Sequence, residues 1–479
     1  MAELRLDRLA PAQAALLRVA ADAAGDGRDT VLVGGAIRDV VLRRPAADVD
    51  IAVPSGAIAL ARRCAERLGG TCVVLDADRG VARVVADGGL TLDVTDFRAP
   101  TLEGDLLARD FTIDALAVSL SALVARGCAP IVDPTGGLAD LAARRLRPAG
   151  PGVLEDDPLR TLRAVRLEAT LGLRLTTSAA RAVRGAARGL ERVSAERVRD
   201  ELLMLLGLAD TARALRRADA LGVLGVIIPE IEPMRGTRQP APHRFDVLEH
   251  SLRAVAGCDR LLARLDALAP YGEELAVHVA EPLGGGAGRR TALKLAALLH
   301  DVSKPETRRR VSGRVRFFEH DVIGARRARE IGERLRLPER LTALVERVVR
   351  HHLRPMHLGH AGAITPRARY RFYRDLREDT RDLLLLVLAD AAAVTGASPL
   401  ATWRRAGIVR ELLAGWSEQR EAQTQPPLLR GEDVMARFSL EPGPRVGWLL
   451  AQAREAQDLG RVQSREEALA YLDSLNPGP

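Results

Sequence analysis

Two carboxylates lie two residues apart near the start of the chain. Asp48 and Asp50 belong to the run 48–53, Asp-Val-Asp-Ile-Ala-Val, whose apolar residues predict a strand. Side chains two positions apart on a strand point to the same face, so these carboxylates should lie side by side. Neighbouring carboxylates repel each other, and a hard divalent cation between them is the usual remedy. The pair therefore predicts a metal site.

A glycine pair lies just before these carboxylates. Gly34 and Gly35 follow the apolar run Val31–Val33, a predicted strand, and precede a helix predicted over 36–42. Glycines allow backbone N–H groups to approach an anion at a helix N-terminus. Arg38 adds a fixed positive charge in the first turn. Either motif alone is more typical of an ordinary turn or strand end, but together they form the arrangement that nucleotidyl transfer requires.

The ordered set Gly-Gly-x-x-Arg-Asp followed by Asp-x-Asp resembles the tRNA nucleotidyltransferases and bacterial poly(A) polymerases of the polymerase-β superfamily. The resemblance implies an α+β fold: a polymerase-β-like nucleotidyltransferase head with a mixed sheet, then an all-α neck, an HD body and a tail. These four parts are expected at residues 1–147, 148–228, 229–400 and 401–479. The resemblance also implies that Asp48 and Asp50 hold two Mg²⁺ ions. Gly35 and Arg38 would hold the triphosphate of the substrates ATP and CTP.

A third carboxylate, Asp93, alternates with apolar residues in a strand predicted over 90–97. The residues alone fit a solvent-facing side chain equally well. The family has an acidic residue here, ahead of a Phe-Arg pair, so the resemblance implies that Asp93 joins Asp48 and Asp50 in catalysis. Further strands are expected at 72–75 and 81–86, and helices at 6–23 and at 55–68, the latter capped by Ser55.

The run 107–115 resembles the family motif Arg-Arg-Asp-Phe-Thr-Ile-Asn-Ala. Two positions depart from it: Ala108 replaces the first Arg, and Asp114 replaces Asn. The resemblance implies that Arg109 contacts the nucleotide and that Asp110 helps to hold the sugar or the neighbouring backbone. Only ten residues separate the preceding Phe-Arg pair from Arg109. Full CCA-adding members usually carry a longer flexible loop here, linked to the switch from C to A, so the product stays open.

A helix predicted after this head carries three arginines at three-residue spacing behind an acidic pair. One residue of the pair 156–157 is expected to cap the helix. The family has Glu-Asp-x-x-Arg at this place, so the resemblance assigns base selection to Asp157 and Arg160. A carboxylate accepts from the amino group that cytosine and adenine share, and a guanidinium donates to the adjacent ring nitrogen. Arg163 and Arg166 continue the row, and Arg166 is expected to contact phosphate or ribose.

Seven of the nine histidines lie between residues 243 and 352. A His, His-Asp, Asp order within and after this region resembles the HD phosphohydrolase superfamily, and His320 and the pair 351–352 lie there too. Such ligands suit Mn, Ni, Mg or Fe. Related bacterial enzymes can use this domain as a metal-dependent phosphatase or phosphodiesterase, whereas others use it as a scaffold. The predicted HD ligands are His250, His300, Asp301 and Asp390.

Composition limits the partners. The chain has 479 residues and a net charge of +8, which favours a polyanionic partner. Aromatic residues make up only 3%, so RNA contacts should rest on phosphate charge. No apolar run is long enough for a membrane span, the N-terminus lacks signal-peptide features, and the four cysteines form no Cys-x-x-Cys pair. We expect a cytoplasmic monomer or homodimer, and the resemblance implies that it binds the 3′ end and the acceptor and elbow region of tRNA.

Three alternatives fit the same sequence. A poly(A) polymerase would use the same head with looser RNA capture. A CC-only or A-only tRNA enzyme would fit the short segment before Arg109. From another class, the head could be inert and the chain could act as an HD phosphohydrolase. Intact Asp48, Asp50 and Arg109 argue against an inert head.

Overall fold

The computed structural model describes residues 2–25, 29–46, 48–86, 89–360, 363–423 and 425–475, without the side chains of 417–423. The chain divides into two compact units. The first comprises residues 1–201 and 217–227, and the second comprises residues 202–216 and 228–479.

The first unit is built on an eight-stranded sheet of order β1-β8-β7-β2-β3-β6-β5-β4. Strands β3 and β6 are parallel, and every other neighbouring pair is antiparallel. The mixed-sheet head is therefore confirmed. The strands are β1 (Glu3–Arg5), β2 (Val31–Val33), β3 (Val49–Val53), β4 (Thr71–Asp76), β5 (Val81–Val85), β6 (Thr91–Asp96), β7 (Ala117–Ser119) and β8 (Cys128–Val132).

Helices cover this sheet and bury its central strands. All of β2 is buried, as is usual for a strand covered on both faces. A short helix follows β2 directly and so places the glycine pair at the end of a central strand. The helices are α1 (Pro11–Ala24), α2 (Gly35–Val41), α3 (Ala57–Leu68), α4 (Leu102–Leu107), α5 (Leu120–Arg126) and α6 (Gly137–Ala142).

Two local predictions for this unit are wrong. The first helix does not begin at residue 6, because residues 3–5 form an edge strand and the helix begins at Pro11, a residue suited to the first helical position. Ser55 does not cap α3. Gly56 holds the N-cap position at φ 82°, and the backbone N–H of Ala57 donates to the Asp96 carboxylate at 2.8 Å.

The chain after the head is helical, as predicted. The prediction that Asp156 or Asp157 caps α8 is wrong, because the N-cap residue is Pro158, which makes no side-chain hydrogen bond to the helix. Asp156 instead ends α7, and the Asp157 side chain bonds to Arg197. The elements are β9 (Arg145–Leu146), α7 (Val153–Asp156), α8 (Leu159–Leu171), β10 (Arg174–Leu175), α9 (Thr177–Ala186), α10 (Ala195–Leu206), α11 (Thr211–Ala220) and α12 (Val223–Ile227).

The rest of the second unit is helical apart from two short hairpins. Its core is formed where α13 packs against α15 and α21 and where α17 packs against α18. The helices up to α21 are α13 (Val247–Leu262), α14 (Gly272–Val279), α15 (Arg289–Leu299), α16 (Lys304–Thr307), α17 (His320–Arg334), α18 (Glu339–His351), α19 (Arg354–His360), α20 (Pro366–Leu376) and α21 (Thr380–Thr395). The tail helices are α22 (Pro399–Arg405), α23 (Gly407–Gln423), α24 (Gly431–Phe438), α25 (Pro444–Asp458) and α26 (Arg465–Ser474).

The two hairpins were not indicated by the sequence. They pair β11 (Pro282–Gly284) with β12 (Ala287–Gly288), and β13 (Arg308–Val311) with β14 (Arg314–Phe317). The second is rich in arginine: β13 is exposed throughout and shows no apolar alternation, whereas the four residues of β14 alternate exposed arginines with half-buried Val315 and Phe317.

No single helix in the described ranges is long and apolar enough to cross a membrane. The bent pair 366–395 and 399–405 meets the length and composition criteria only when its two parts are taken together. Most of α21, which lies in this pair, is buried within the unit, as expected for a core helix.

Candidate active site and metal centre

Asp50 and Asp93 lie side by side in the sheet. They are register partners in the parallel strands β3 and β6, so both side chains project from the same face. Gly34 lies against Asp50: a Cβ built on Gly34 would be 3.4 Å from Oδ2 of Asp50 and 3.6 Å from Nη1 of Arg109. Its φ of 77° also favours glycine. The structure therefore brings the glycine turn, two predicted carboxylates and the predicted nucleotide-binding arginine together.

Asp48 lies one residue before β3, which begins at Val49 and not at Asp48 as predicted. It is exposed, yet its charge contributes to raising the pKa of Asp50. Asp93 is already engaged, because its two oxygens accept from Nε and Nη2 of Arg83 at 2.7 Å each. A cation that Asp93 joins Asp48 and Asp50 in binding would compete with Arg83 for the Asp93 oxygens.

The environment of Asp50 fits a divalent cation. Burial, and then the negative charges of Asp93 and Asp48, raise the pKa of Asp50 to about 6. The repulsion between a half-buried carboxylate and its acidic neighbours is relieved by a bound cation. The donors are oxygens only, which suits a hard ion such as Mg²⁺.

Asp50→Asn should stabilise the metal-free protein above pH 6. The folded-state pKa of about 6 lies above the ordinary 3.8, so the stability that protonated Asp50 provides is present below pH 4 and lost as pH rises through 6. In urea unfolding with EDTA at pH 8, we expect a variant more stable by about 3 kcal/mol. Near pH 4 the two proteins should match. If the variant were no more stable than the wild-type protein at pH 8, ionised Asp50 would not destabilise the metal-free fold as we expect.

The ten-residue segment before Arg109 contains an ordered helix. Thr101 caps α4 by accepting a backbone N–H of the first turn at 3.1 Å. Asp105, fully buried, accepts from Nε and Nη2 of Arg109 at 3.1 and 2.9 Å and from the backbone N–H of Arg98 at 3.0 Å. Asp105 thereby fixes the guanidinium whose Nη1 lies beside Gly34.

Arg38 is held by two carboxylates. Its Nε donates to Asp39 at 2.9 Å, and its Nη1 donates to Asp114 at 2.5 Å. Asp114 stands where the family motif has Asn, so a charged partner replaces a neutral one. Burial raises the pKa of Asp114 even though Arg38 opposes the shift. Gly35 lies against this guanidinium, because a Cβ built on it would be 3.2 Å from Nη2. A triphosphate at this turn would compete with these carboxylates for Arg38.

Arg160 and Arg163 connect α8 to the segment around Arg109. Arg160 donates from Nη1 to the carbonyl of Val153 at 2.9 Å and from Nη2 to the carbonyl of Ala108 at 3.2 Å. Arg163 donates to Oδ2 of Asp110 at 2.8 Å. Burial alone would raise the pKa of Asp110, but the charge and hydrogen bond of Arg163 outweigh it and lower the pKa to about 2.

Asp157 has one oxygen in use and one without a partner. Its Oδ2 accepts from Arg197 at 2.7 Å, whereas its buried Oδ1 has no hydrogen-bond partner in the described chain. A buried oxygen without a donor is unfavourable, and the amino group of a base would satisfy it. Arg166 donates to Glu201, so α10 braces α8, the predicted base-reading helix.

Glu201→Ala should cost about 3 kcal/mol in the free energy of unfolding. Glu201 is 2% exposed and pairs with Arg166 and Arg163, so its removal leaves a largely buried guanidinium unpaired. Denaturant unfolding measures the loss. Glu196→Ala, at an exposed position of the same helix, is the control. Similar losses of unfolding free energy in both variants would contradict the role of Glu201 in bracing α8.

Sequence reasoning missed the residues that hold the predicted site residues in place. These are Arg83, Asp105, Arg197 and Glu201. Arg197 and Glu201 pair with residues 40 and 35 positions away, so no local pattern marks them. Arg83 lies opposite Asp93 on the adjoining antiparallel strand, ten residues away, and the sequence does not fix the register that pairs them. Asp105 is different, because it lies in α4 and pairs with Arg109, four positions later and just beyond the end of the helix, a spacing that the sequence does show.

The four predicted HD ligands come together in the second unit. Nε2 of His250 lies 2.9 Å from Oδ1 of Asp390 and 3.5 Å from Oδ2 of Asp301. Nε2 of His300 lies 3.2 Å from the same Asp301 oxygen. All but Asp390 are buried.

Two more histidines complete this cluster. Nε2 of His320 and Nε2 of His352 lie 3.5 and 3.8 Å from Oδ1 of Asp301. The sequence shows both residues but does not distinguish them from His351, which joins no ligand group among the described residues. The ligand atoms form two triads: His250, His300 and Asp390, and Asp301, His320 and His352. We call these six residues the HD cluster.

The imidazoles of this cluster are oriented for metal binding. Nδ1 of His300, His320 and His352 lies 2.7–3.0 Å from a backbone carbonyl, which leaves each Nε2 as the free acceptor. Buried ligand atoms, including Nε2 of His320 and Oδ1 of Asp301, have no hydrogen-bond partner in the described ranges. Unsatisfied buried acceptors that converge are what a cation would satisfy.

Comparison with known proteins agrees with this geometry. Residues 30–147 match the model of the poly A polymerase head domain, 172–235 match a probable RNA and SrmB-binding site of polymerase A, and 247–394 match the HD domain. The A-adding tRNA nucleotidyltransferase of Deinococcus radiodurans is 38% identical over 92% of this chain and 94% of its own length. This chain belongs to the family of tRNA nucleotidyltransferases and poly(A) polymerases. Another member, the CC-adding tRNA nucleotidyltransferase of Thermus thermophilus, is 36% identical over 93% of each chain.

Solved structures of the family share the fold. A CCA-adding enzyme in its apo form I superposes with a TM-score of 0.64 at 20% identity, covering 99% of this chain and 98% of that one. The Thermotoga maritima CCA-adding enzyme complexed with tRNA gives 0.60 at 20% identity, covering 99% and 100%. At this identity the likeness shows the fold alone, and the family membership rests on the sequence relatives.

Proposed function

We propose that this chain adds C and/or A, from CTP and ATP, to the 3′ end of tRNA. One observation carries the proposal: Asp50 lies in register with Asp93, directly beside Gly34 and Arg109. The family relatives are named for A addition and for CC addition to tRNA. The two supports are independent, because one is geometry within the head and the other is similarity along the whole chain.

The head residues take the following roles in this proposal. Asp48 and Asp50 hold Mg²⁺, with Asp93 as a further carboxylate that the ion shares with, or takes from, Arg83. Such a metal, when bound, supplies a Lewis acid that stabilises charge on the triphosphate and favours ionisation of the RNA 3′-hydroxyl.

The nucleotide is held by groups around the same turn. Gly35 and Arg38 lie where a triphosphate would meet the N-terminus of α2, and the backbone N–H groups there are anion donors. Arg109 orients the nucleotide, since Asp105 fixes its guanidinium. The 3′-hydroxyl attacks the α-phosphate in line, and pyrophosphate leaves.

Asp157 and Arg160 select the base, and Arg163 and Arg166 complete the nucleotide-binding row. Asp157→Ala should lower kcat/KM for the correct nucleotide about 10–100-fold, because one good base-edge contact is worth about 1–3 kcal/mol. Discrimination against UTP and GTP should fall with it. Glu155→Ala, at an exposed position of the same segment, should leave both values unchanged. Unchanged discrimination in the Asp157 variant would contradict base selection by this residue.

A CC-only or A-only product is the second form of this proposal. The segment before Arg109 is short, and its α4 is capped by Thr101 and anchored by buried Asp105. A segment tied down in this way is unlike the long flexible loop of full CCA-adding members. A poly(A) polymerase would use the same head but would not require tRNA.

Pyrophosphate release tests nucleotidyl transfer directly. With Mg²⁺, CTP and ATP, tRNA that lacks all or part of CCA should stimulate release, whereas tRNA with complete CCA should not. Stimulation by any RNA would favour poly(A) synthesis. No release with any tRNA end would overturn the proposal for the head.

A metal-dependent phosphohydrolase activity of the HD cluster is a second candidate function. The converging, unsatisfied Nε2 and Oδ1 atoms favour it. We propose His250, His300, Asp301 and Asp390 as metal ligands, joined by His320 and His352. Mn, Ni or Mg suits this mixed set of imidazole and carboxylate. Such a metal, when bound, supplies an activated water for phosphoester hydrolysis.

The wider organisation follows the same proposal. Residues 1–147 form the catalytic head, 148–228 the neck, 229–400 the HD body and 401–479 a tail that binds the acceptor and elbow region of tRNA. The four cysteines are free thiols, which fits the reducing cytoplasm in which we propose that the chain works. It acts as a monomer or homodimer.

A further inference from the structure

The hairpin formed by β13 and β14, residues 308–317, concentrates positive charge. It carries five arginines and no acidic residue. All five arginines are exposed. We call this element the arginine hairpin; its arginines are Arg308, Arg309, Arg310, Arg314 and Arg316.

These arginines make no ion pair with any described residue. Arg309 bonds only to the carbonyls of Glu306 and Arg308. Nearby arginines behave differently: exposed Arg327 pairs with Glu306 at 3.1 Å, and half-buried Arg329 pairs with Glu346 at 2.5 Å. The charge of the hairpin is therefore not balanced by its own unit, in contrast to the charge on the adjoining α17.

The strand register increases the repulsion within the hairpin. Arg309 lies directly opposite Arg316, and Val311 lies opposite Arg314. Because alternate side chains share a face, Arg309, Arg314 and Arg316 project together on one side. Like charges opposite each other destabilise a hairpin. A bound polyanion would remove that penalty, and guanidinium groups bind phosphates with two parallel hydrogen bonds.

The hairpin also adjoins the HD cluster. Phe317 ends β14, and its carbonyl lies 3.0 Å from Nδ1 of His320, a member of the cluster. The Phe317 ring lies 5.6 Å from Nζ of Lys304, which itself donates to Asp301 at 2.6 Å. Phe318, the next residue, is a 51% exposed aromatic, suited to stacking on a base.

We propose that the arginine hairpin is a docking surface for the phosphate backbone of single-stranded RNA, beside the HD cluster. The choice of RNA over other polyanions rests on the proposed function, since the head acts on an RNA end. An anionic membrane is disfavoured, because the face with Arg309, Arg314 and Arg316 offers only Val311 as an apolar side chain for insertion.

Salt-dependent RNA binding tests the docking surface. The probe is a fluorescein-labelled oligouridylate, and its anisotropy is followed in full-length protein from 50 to 250 mM KCl. The triple variant R309Q/R314Q/R316Q should bind at least tenfold more weakly. Its slope of log K against log salt should be shallower by about 2, at roughly 0.7 for each lost phosphate contact.

A matched control separates this surface from net charge. The triple variant R350Q/R404Q/R405Q also removes three positive charges, but from exposed helical positions elsewhere in the same unit. It should bind the oligouridylate within twofold of the wild-type affinity. A second hairpin variant, R308Q/R310Q, tests the opposite face without touching the first three residues. Thermal unfolding confirms that each variant is folded.

The outcomes are distinguishable. Equal slopes for the hairpin and control variants would overturn the docking surface. A hairpin variant that loses only binding to phosphatidylserine vesicles would overturn it in favour of a membrane contact. Nucleotide transfer to tRNA is assayed with the same wild-type preparation. Absence of transfer would show that the proposed function is wrong. The salt slopes of RNA binding test the docking surface by themselves.

Discussion

Asp50→Asn should abolish nucleotide transfer. The variant keeps the shape of the side chain but loses the charge that would hold a divalent ion beside Gly34 and Arg109. We expect kcat to fall 10³-fold or more, about 4 kcal/mol of transition-state stabilisation. Incorporation of labelled nucleotide into tRNA that lacks CCA measures the loss.

Asp78→Asn is the matched control. Asp78 is an exposed carboxylate of the same unit, in the turn between β4 and β5, so its variant should transfer at the wild-type rate. The double variant D48A/D50A should also be inactive while metal binding by the HD cluster stays intact. Transfer that survives in either Asp50 variant would refute the metal assignment in the head.

Loss of a ligand should abolish tight metal binding at the HD cluster. His300→Ala removes one imidazole. Asp301→Asn removes the charge of the carboxylate that contacts histidines of both triads. Changes to residues that merely support ligands already weaken metal binding about 10–100-fold, so removal of a ligand should exceed that. Metal content after dialysis against Mn²⁺ or Ni²⁺ and hydrolysis of bis(p-nitrophenyl) phosphate should fall together.

His357→Ala is the matched control, because it removes an exposed histidine that lies outside the HD cluster. It should bind metal as wild type does. Nucleotide transfer should be unchanged in both HD variants, because their side chains belong to the second unit and the head carboxylates belong to the first. A wild-type protein that retains no metal would mean that the HD domain acts as a scaffold.

The sequence predicts the centre of the head because its signals are local. Gly34, Asp50 and Arg109 stand in short motifs, and the structure places them together. The position of Asp93 followed only from the resemblance, and the parallel pairing of β3 with β6 explains it. That pairing joins strands about forty residues apart, which no periodicity within either strand reveals.

What the sequence did not predict depends on how separate helices and strands pair with one another. Arg83 engages Asp93, and Glu201 engages Arg166, only because separate elements meet. His320 and His352 resemble their neighbours in sequence, and only the fold separates them from His351. In the arginine hairpin, β13 opens with three consecutive arginines, and only the four residues of β14 alternate arginine with apolar side chains. That short alternation is the one sequence signal for the hairpin.

Incorporation of labelled CTP and ATP into three purified tRNAs tests the central claim most directly. The tRNAs end before CCA, after the first C and after CC, and Mg²⁺ is present. Our account predicts that C and/or A is added to the ends that lack them and that addition then stops. Arrest after CC, or use of the CC-ended tRNA alone, would define the partial products. No incorporation into any of the three, or long A tails on unrelated RNA, would contradict it.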